Sequence, residues 1–358
     1  SALIFFGILL IGAIVSVVLN GAGKAVDEEK ASETTALENL QATTTQEQET
    51  AAENLKATAS EYFKYEILDD GTAEIKDYTG TDTDIIIPSI IDGFMVTKIG
   101  MGSFYEKNLT SLNIPDTVTF ISGSAFQKNN LVKVVIPSSV EKLGAYAFSY
   151  NADLAEIEVD SENPNFKAVD NVIFSKDETK LVYRPEGLKA SSLTIPSAVL
   201  EISQAACFNN SLADVIIPDY VTEICADAFA NNKLTNVIIP QSVTEIGNSA
   251  FRNNSISEVY ISDSVEDIGG YAFADNKLDA VVIPKSVKYI QWNAFLNNSL
   301  TSAFIPDSVT SIGERAFGFN VDEGGGETMV EGFVVYGNAG SAAEIYANEN
   351  GFEFKHEA

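Results

Sequence analysis

The sequence predicts an α+β chain: a long N-terminal α-helix followed by a solenoid of 22-residue coils with short parallel strands. Three observations carry this expectation. Residues 1–23 hold no charged side chain, and neither Pro nor Gly occurs from Lys24 to Lys64. Prolines then recur at steps of 22, at Pro115 and Pro137 and again at Pro196, Pro218, Pro240, Pro284 and Pro306, with Ser262 in the vacant place. A phenylalanine column runs in parallel through Phe104, Phe126, Phe148, Phe208, Phe229, Phe251, Phe273, Phe295 and Phe317. Fixed self-similarity at this period is the mark of stacked repeats, in which each coil buries its apolar side only against its neighbours.

The N-terminal run, SALIFFGILLIGAIVSVVLNGAG, is long enough to span a bilayer as a helix. A secretory signal would need a basic region before the apolar core. Here no Lys or Arg precedes the run, as expected of a chain whose basic leader has been removed. Leu3, Phe5, Phe6, Leu10, Val15, Val18 and Leu19 supply an apolar surface, and Gly7 and Gly12 let helix backbones approach closely. Beyond Gly21 and Gly23, Leu37, Leu40, Leu55 and Tyr62 recur mostly at helical steps, so a continuous helix to residue 62 would be about 90 Å long. Such a surface must be covered by lipid or by copies of itself.

Residues 63–354 read as the repeat domain. In Tyr65–Lys76, Asp70-Gly71 is a turn between two extended segments, giving an N-terminal hairpin over 63–80. One coil runs from Leu234 to Ser255. Leu234, Val237 and Ile239 point inward from a short strand, Pro240 ends it, and Val243, Ile246 and Phe251 fill the interior on the return. Gly247 supports the bend, and Asn253-Asn254 hydrogen-bond the turn backbone.

Two resemblances follow from these residues. Ile239-Pro240, Ser242-Val243, Ile246-Gly247 and Ala250-Phe251 give the I-P-x-S-V-x-x-I-G and A-F-x-x-N motifs, which resemble the BspA-like, treponemal type of leucine-rich repeat. The likeness extends over about residues 62 to 354 and implies a hairpin-containing long repeat at 155–190 and a C-terminal cap at 328–354. Ser1-Ala2-Leu3-Ile4, Val17-Val18-Leu19-Asn20, Gly21-Ala22-Gly23 and Glu29-Lys30-Ala31-Ser32 resemble the opening of archaellins and archaeal type IV pilin-like subunits. Bacterial pilins usually carry Glu at the fifth mature position, where this chain has Phe5. The second resemblance implies processing by a prepilin-type peptidase, membrane insertion before assembly, and a homopolymer whose N-terminal helices form a filament core.

Composition narrows the function. Asp and Glu number 51 against 22 Lys and Arg, a formal net charge of -29, the opposite of a nucleic-acid-binding footprint. The single histidine, His356, leaves no histidine triad or histidine metal cluster. Cys207 and Cys225 fit no metal spacing, and their pairing is open. Gly324-Gly325-Gly326 lacks the strand and Lys of a phosphate loop and reads as a flexible insertion. No cofactor and no enzymatic activity are expected. Asn108, Asn209, Asn253 and Asn297 each open an N-x-S/T sequon, candidate N-glycosylation sites that the repeat also uses as turn residues.

The informative column lies two residues before each strand-ending proline, where side chains should face solvent. Its later members, Ile216, Ile238, Tyr260, Val282 and Phe304, form an apolar row. At about 4.8 Å per stacked strand the row is about 20 Å long. Branched residues suit any exposed strand; a contiguous row also suits a contact with a surface protein, a glycan or a neighbouring filament. The sequence therefore predicts a structural subunit of an extracellular cell-surface filament that displays its repeats for adhesion. The alternative is a monomeric surface adhesin or receptor held by one transmembrane helix.

Overall fold

The structure, a computed structural model, describes residues 58–322 and 324–356. The described chain is mostly β, which corrects the α+β expectation. Its one α-helix among the described residues is Ala342–Asn350, in the C-terminal cap. The helix expected over 1–62, with Leu3, Phe5, Phe6, Gly7, Leu10, Gly12, Val15, Val18 and Leu19, lies outside the described residues up to residue 57. Its described end is a single 3-10 turn, Ser60–Tyr62, that runs directly into the strand Phe63–Ile67. The coils hold no helix for a local reason. Each return path carries non-glycine residues in the left-handed region, such as Ser249 (φ 56°) and Asn253 (φ 52°), and right-handed helix cannot propagate through them.

The coils instead alternate short strands with tight turns. In the coil from Leu234, the strand Asn236–Ile238 buries only its middle residue, Val237. Val243 N–H closes a turn on Pro240 at 3.2 Å, and the strand Glu245–Ile246 follows. Ala250 N–H then closes a second turn on the Gly247 carbonyl. A side chain at Gly247 would come within 2.7 Å of the Ala226 nitrogen, so glycine there sets how closely the coils stack. Leu234, Val237, Ile239, Val243, Ile246 and Phe251 are all buried.

The second strand of each coil pairs in parallel with its counterparts at a register of one coil: Ile202 with Ile224, Ile224 with Ile246, Ile246 with Ile268, and on through Ile290 to Ile312. The first strands pair less continuously, for example Asn236–Ile238 with Glu258–Tyr260. At the N-terminal end, Phe63–Ile67 and Ala73–Tyr78 form an antiparallel hairpin. At the C-terminal end, Val334–Gly337 and Glu353–His356 pair in parallel around the helix, and Tyr346 beneath it hydrogen-bonds the Phe317 backbone. The three glycines expected as a flexible insertion lie in the loop of a hairpin, Phe319–Val321 with Glu327–Met329, where the Asp322 carboxylate accepts from Gly324 and Gly326 N–H.

Two side-chain columns tie coil to coil. The phenylalanines stack, with ring centroids 5.4 Å apart from Phe229 to Phe251 and 5.5 Å apart from Phe251 to Phe273 and from Phe273 to Phe295. One buried asparagine per coil serves the backbone around them. Asn254 Oδ1 accepts from Leu234 N–H at 3.0 Å, while Nδ2 donates to the carbonyls of Phe229 and Phe251 at 3.0 Å each. Asn129, Asn151, Asn232, Asn276 and Asn298 repeat this pattern.

The structure changes one register. Cys207, not Phe208, occupies the phenylalanine column: its N–H donates to Ala228 O and its carbonyl accepts from Asn232. The thiol is fully buried, and burial pushes it up to about 12. Cys225 sits in the Gly247 column, and both cysteines are free. Phe208 leaves the column and is buried beside it with Ala205 and Ala230, edge-on against Tyr146 and Tyr150.

This shift marks a seam. The long repeat enters as the strand Glu156–Val159 and turns through a hairpin, Phe166–Val169 with Val172–Ser175, around Asp170-Asn171. It rejoins the stack through Lys180–Tyr183. The core divides into two clusters here. Tyr183 caps the first phenylalanine stack, its hydroxyl donating to Phe148 O at 3.1 Å. Arg184 is buried and donates to Asn210 Oδ1 and Ala190 O. The Glu186 carboxylate joins the two halves, accepting from Tyr150 N–H at 2.5 Å and Asn209 Nδ2 at 3.0 Å.

Two outcomes follow. Asn254→Ala leaves the buried Leu234 N–H without its partner and removes one of the two asparagine donors at each of the Phe229 and Phe251 carbonyls; it should cost about 3 kcal/mol in denaturant unfolding, whereas Asn253→Ala, at the exposed neighbour, should cost under about 1 kcal/mol. Burial pushes Glu186 up to about 7 from an ordinary 4.5, outweighing its two hydrogen bonds. A carboxyl raised in the fold binds its proton more tightly there than in the unfolded chain. Its contribution is therefore complete below pH 4.5 and declines as pH rises to about 7. The expected loss is about 1–3 kcal/mol, and Glu186→Gln should remove that slope from a series of melts across this range.

Candidate interaction face

The segment two residues before each proline or its Ser262 counterpart builds the candidate face. In the strands Asp214–Ile216, Asn236–Ile238, Glu258–Tyr260 and Ser302–Phe304 alternation sends the middle side chain inward and the ends outward, and Val282 holds the corresponding place in an extended segment without a strand. Ile216, Ile238, Tyr260, Val282 and Phe304 are exposed by 56, 67, 55, 80 and 37 %. The strands Asp214–Ile216 and Asn236–Ile238 lie side by side, and Ile238 pairs with Tyr260 across the ladder. Phe304 pairs with Tyr336 of the cap, which extends the row by one position. Sequence reading missed Tyr336 because its strand ends at Gly337 rather than at a proline; the alternation Val334-Val335-Tyr336 was the available signal.

Charge frames the row. Exposed Asp214 and Glu258 lie on the incoming side, and exposed Asp219, Asp263 and Asp307 follow the strand ends. Lys285 is the one cation in those two flanking columns. It borders a shallow depression of about 610 Å³ that Val282, Pro284 and Phe304 also line. The arrangement is an apolar strip with acidic margins, shaped to receive an extended or flat surface. Among the described residues, no group of three or more His, Cys, Asp or Glu side chains is placed to hold a metal ion. Among the same residues no helix is long and apolar enough to cross a membrane.

The four sequon asparagines lie apart from this strip, on the turn between coils, and all adopt left-handed backbone angles. Asn108 is exposed. Asn209 Nδ2 donates to Glu186, Asn253 Nδ2 to Asn231 at 2.8 Å, and Asn297 Nδ2 to Asp275 at 2.6 Å. At these last three positions the nitrogen that would carry a glycan is already in use between coils.

The model of the BspA-type leucine-rich repeat region matches in six copies over residues 81–195 and 200–321. The chain belongs to the BspA-type leucine-rich repeat family. None of the curated proteins matches it. Among solved structures, it is similar to a leucine-rich cell-surface protein from Faecalibacterium prausnitzii, at 21 % identity over 71 % of this chain and 90 % of that one, TM-score 0.39. It is also similar to a leucine-rich repeat protein from Eubacterium ventriosum, at 20 % identity over 69 % and 95 %, TM-score 0.41. The pneumococcal vaccine antigen PcpA is 17 % identical over 85 % of this chain and 99 % of its own, TM-score 0.44.

Proposed function

We propose that this leucine-rich repeat protein is an extracellular binding module displayed at the cell surface, adhesive rather than catalytic. Its repeats engage a partner through the strip Ile216–Ile238–Tyr260–Val282–Phe304, and the protein is displayed as the subunit of a filament. The observation that carries the reading is the row itself: five exposed apolar side chains at one repeat position, on a face that folding does not require to be apolar. The acidic margins favour a partner that offers apolar groups among basic ones and suppress nonspecific clumping. The uncharged sequence of residues 1–23, with Gly7 and Gly12 inside it, supports display through self-association. The same segment has the length of a bilayer span, which favours, as the second reading, a monomeric adhesin anchored singly.

Two measurements test this. Producing cells that carry Ile238→Lys with Val282→Lys should attach to surfaces and to one another about tenfold less, with an unchanged melting temperature, because both side chains are exposed. Unchanged attachment removes the strip from the proposal. Negative-stain microscopy of material sheared from those cells should show uniform filaments containing the chain; detergent-soluble monomers alone would leave the single anchor.

A further inference from the structure

The seam leaves a place in the stack where a turn is missing. In regular coils, alternate amides of one turn donate to alternate carbonyls of the next. Ser124, Phe126 and Lys128 N–H donate to Ala145, Ala147 and Ser149 O at 3.1, 2.8 and 2.9 Å. Asp227, Phe229 and Asn231 N–H do the same to Asn248, Ala250 and Arg252 O. Tyr146, Phe148 and Tyr150 are the corresponding donors at the seam. There the chain passes as the extended strand Lys180–Tyr183 and makes no such turn. Tyr150 N–H is met by the Glu186 carboxylate. Among the described residues, the N–H groups of Tyr146 and Phe148 have no hydrogen-bond partner. On the facing wall, the Gln204 carbonyl has no donor either, whereas its counterparts at Ala226 and Asn248 accept from Ala205 and Asp227.

Between these walls lies a cavity of about 300 Å³, lined by Gly144, Tyr146 and Phe148 on one side, Phe166 and Val182 on the hairpin side, and Gln204 opposite. Phe148 is buried, so an unpaired amide there is costly unless something fills the space. The ion pair of Lys180 with Glu201 stands at its border.

We propose that this cavity is a binding site for a tight Gly-x-x-Ala turn contributed by a second polypeptide. The donors and the acceptor have the order that a peptide turn satisfies everywhere else in the stack: carbonyls received on one wall, an N–H received on the other. The turns that fill the equivalent place in regular coils, Gly144–Ala147, Gly247–Ala250 and Gly313–Ala316, begin with Gly and end with Ala while their middle residues vary, so the seat calls for a turn that is small at both ends. The partner's turn completes the interrupted stack as an additional half-coil. This site is separate from the strand-face strip and does not rest on the function proposed for it.

The test uses the full chain and the peptide acetyl-Gly-Asn-Ser-Ala-amide, the sequence of the turn at residues 247–250. Calorimetry should show saturable one-site binding in the millimolar range or tighter. Val182→Trp and Ala145→Phe, which fill the cavity from opposite walls, should each weaken binding about tenfold or more, while Ile238→Lys leaves it unchanged. Melting curves establish that each variant is folded, and either filled variant suffices. Co-crystals should show peptide carbonyls at the Tyr146 and Phe148 amides. Absence of binding, equal binding by the filled variants, or crystals with water only at those amides would overturn the proposal.

Discussion

A solenoid of short strands and tight turns produces many backbone groups that no ladder satisfies, and the asparagine in each coil is the answer to that constraint. Its amide spans three peptide groups at once, two carbonyls of neighbouring phenylalanines and the N–H that opens its own coil. No other neutral side chain of this size presents a donor pair and an acceptor together in that geometry. With those groups paired, the phenylalanines stack in a dry interior, and the coil can be repeated without a helix on its return path. The small residues at Gly247 and Ala250 follow from the same constraint, because the turns must approach closely enough for one amide to reach both.

The seam shows what happens when the pattern is broken. The long repeat brings Arg184 where a coil would bring a phenylalanine, and Asn210 Oδ1 accepts from that guanidinium. Glu186 replaces a missing carbonyl, Tyr183 caps one aromatic stack, and Cys207 leaves the next stack to begin at Phe229. The side chains there are polar, buried and individually different, unlike those of the regular coils. Burial accordingly raises the Tyr146 phenol and the Asp227 carboxyl beside it. Because stability resides in the interior columns, the outward strand positions are free to carry a partner's chemistry.

The 22-residue period made most of this legible. Leu234, Val237, Ile239 and Phe251 lie inside as their spacing requires, and the strip from Ile216 to Phe304 is exposed where alternation puts it. Two things were not legible. The phenylalanine column read through Phe208, which stands 21 rather than 22 residues before Phe229; Cys207 holds that place instead, and only the hydrogen bonds reveal it. The α+β expectation rested on the apolar steps of residues 1–62; at their described end the chain forms only the 3-10 turn Ser60–Tyr62 before the first strand, and the described chain beyond is mostly β. The open seat at the seam depends on which amides lack a partner, which no single-sequence pattern encodes.

Native-state hydrogen exchange of individual amides tests the central claim most directly. If the asparagine column holds the coils together, the amides of Leu131, Leu212, Leu234, Ile256 and Leu278, each bound to an asparagine Oδ1, should be among the slowest to exchange, opening only with the whole stack. Exchange of those amides at the rate of exposed turn amides, while the strand ladder stays protected, would contradict the account.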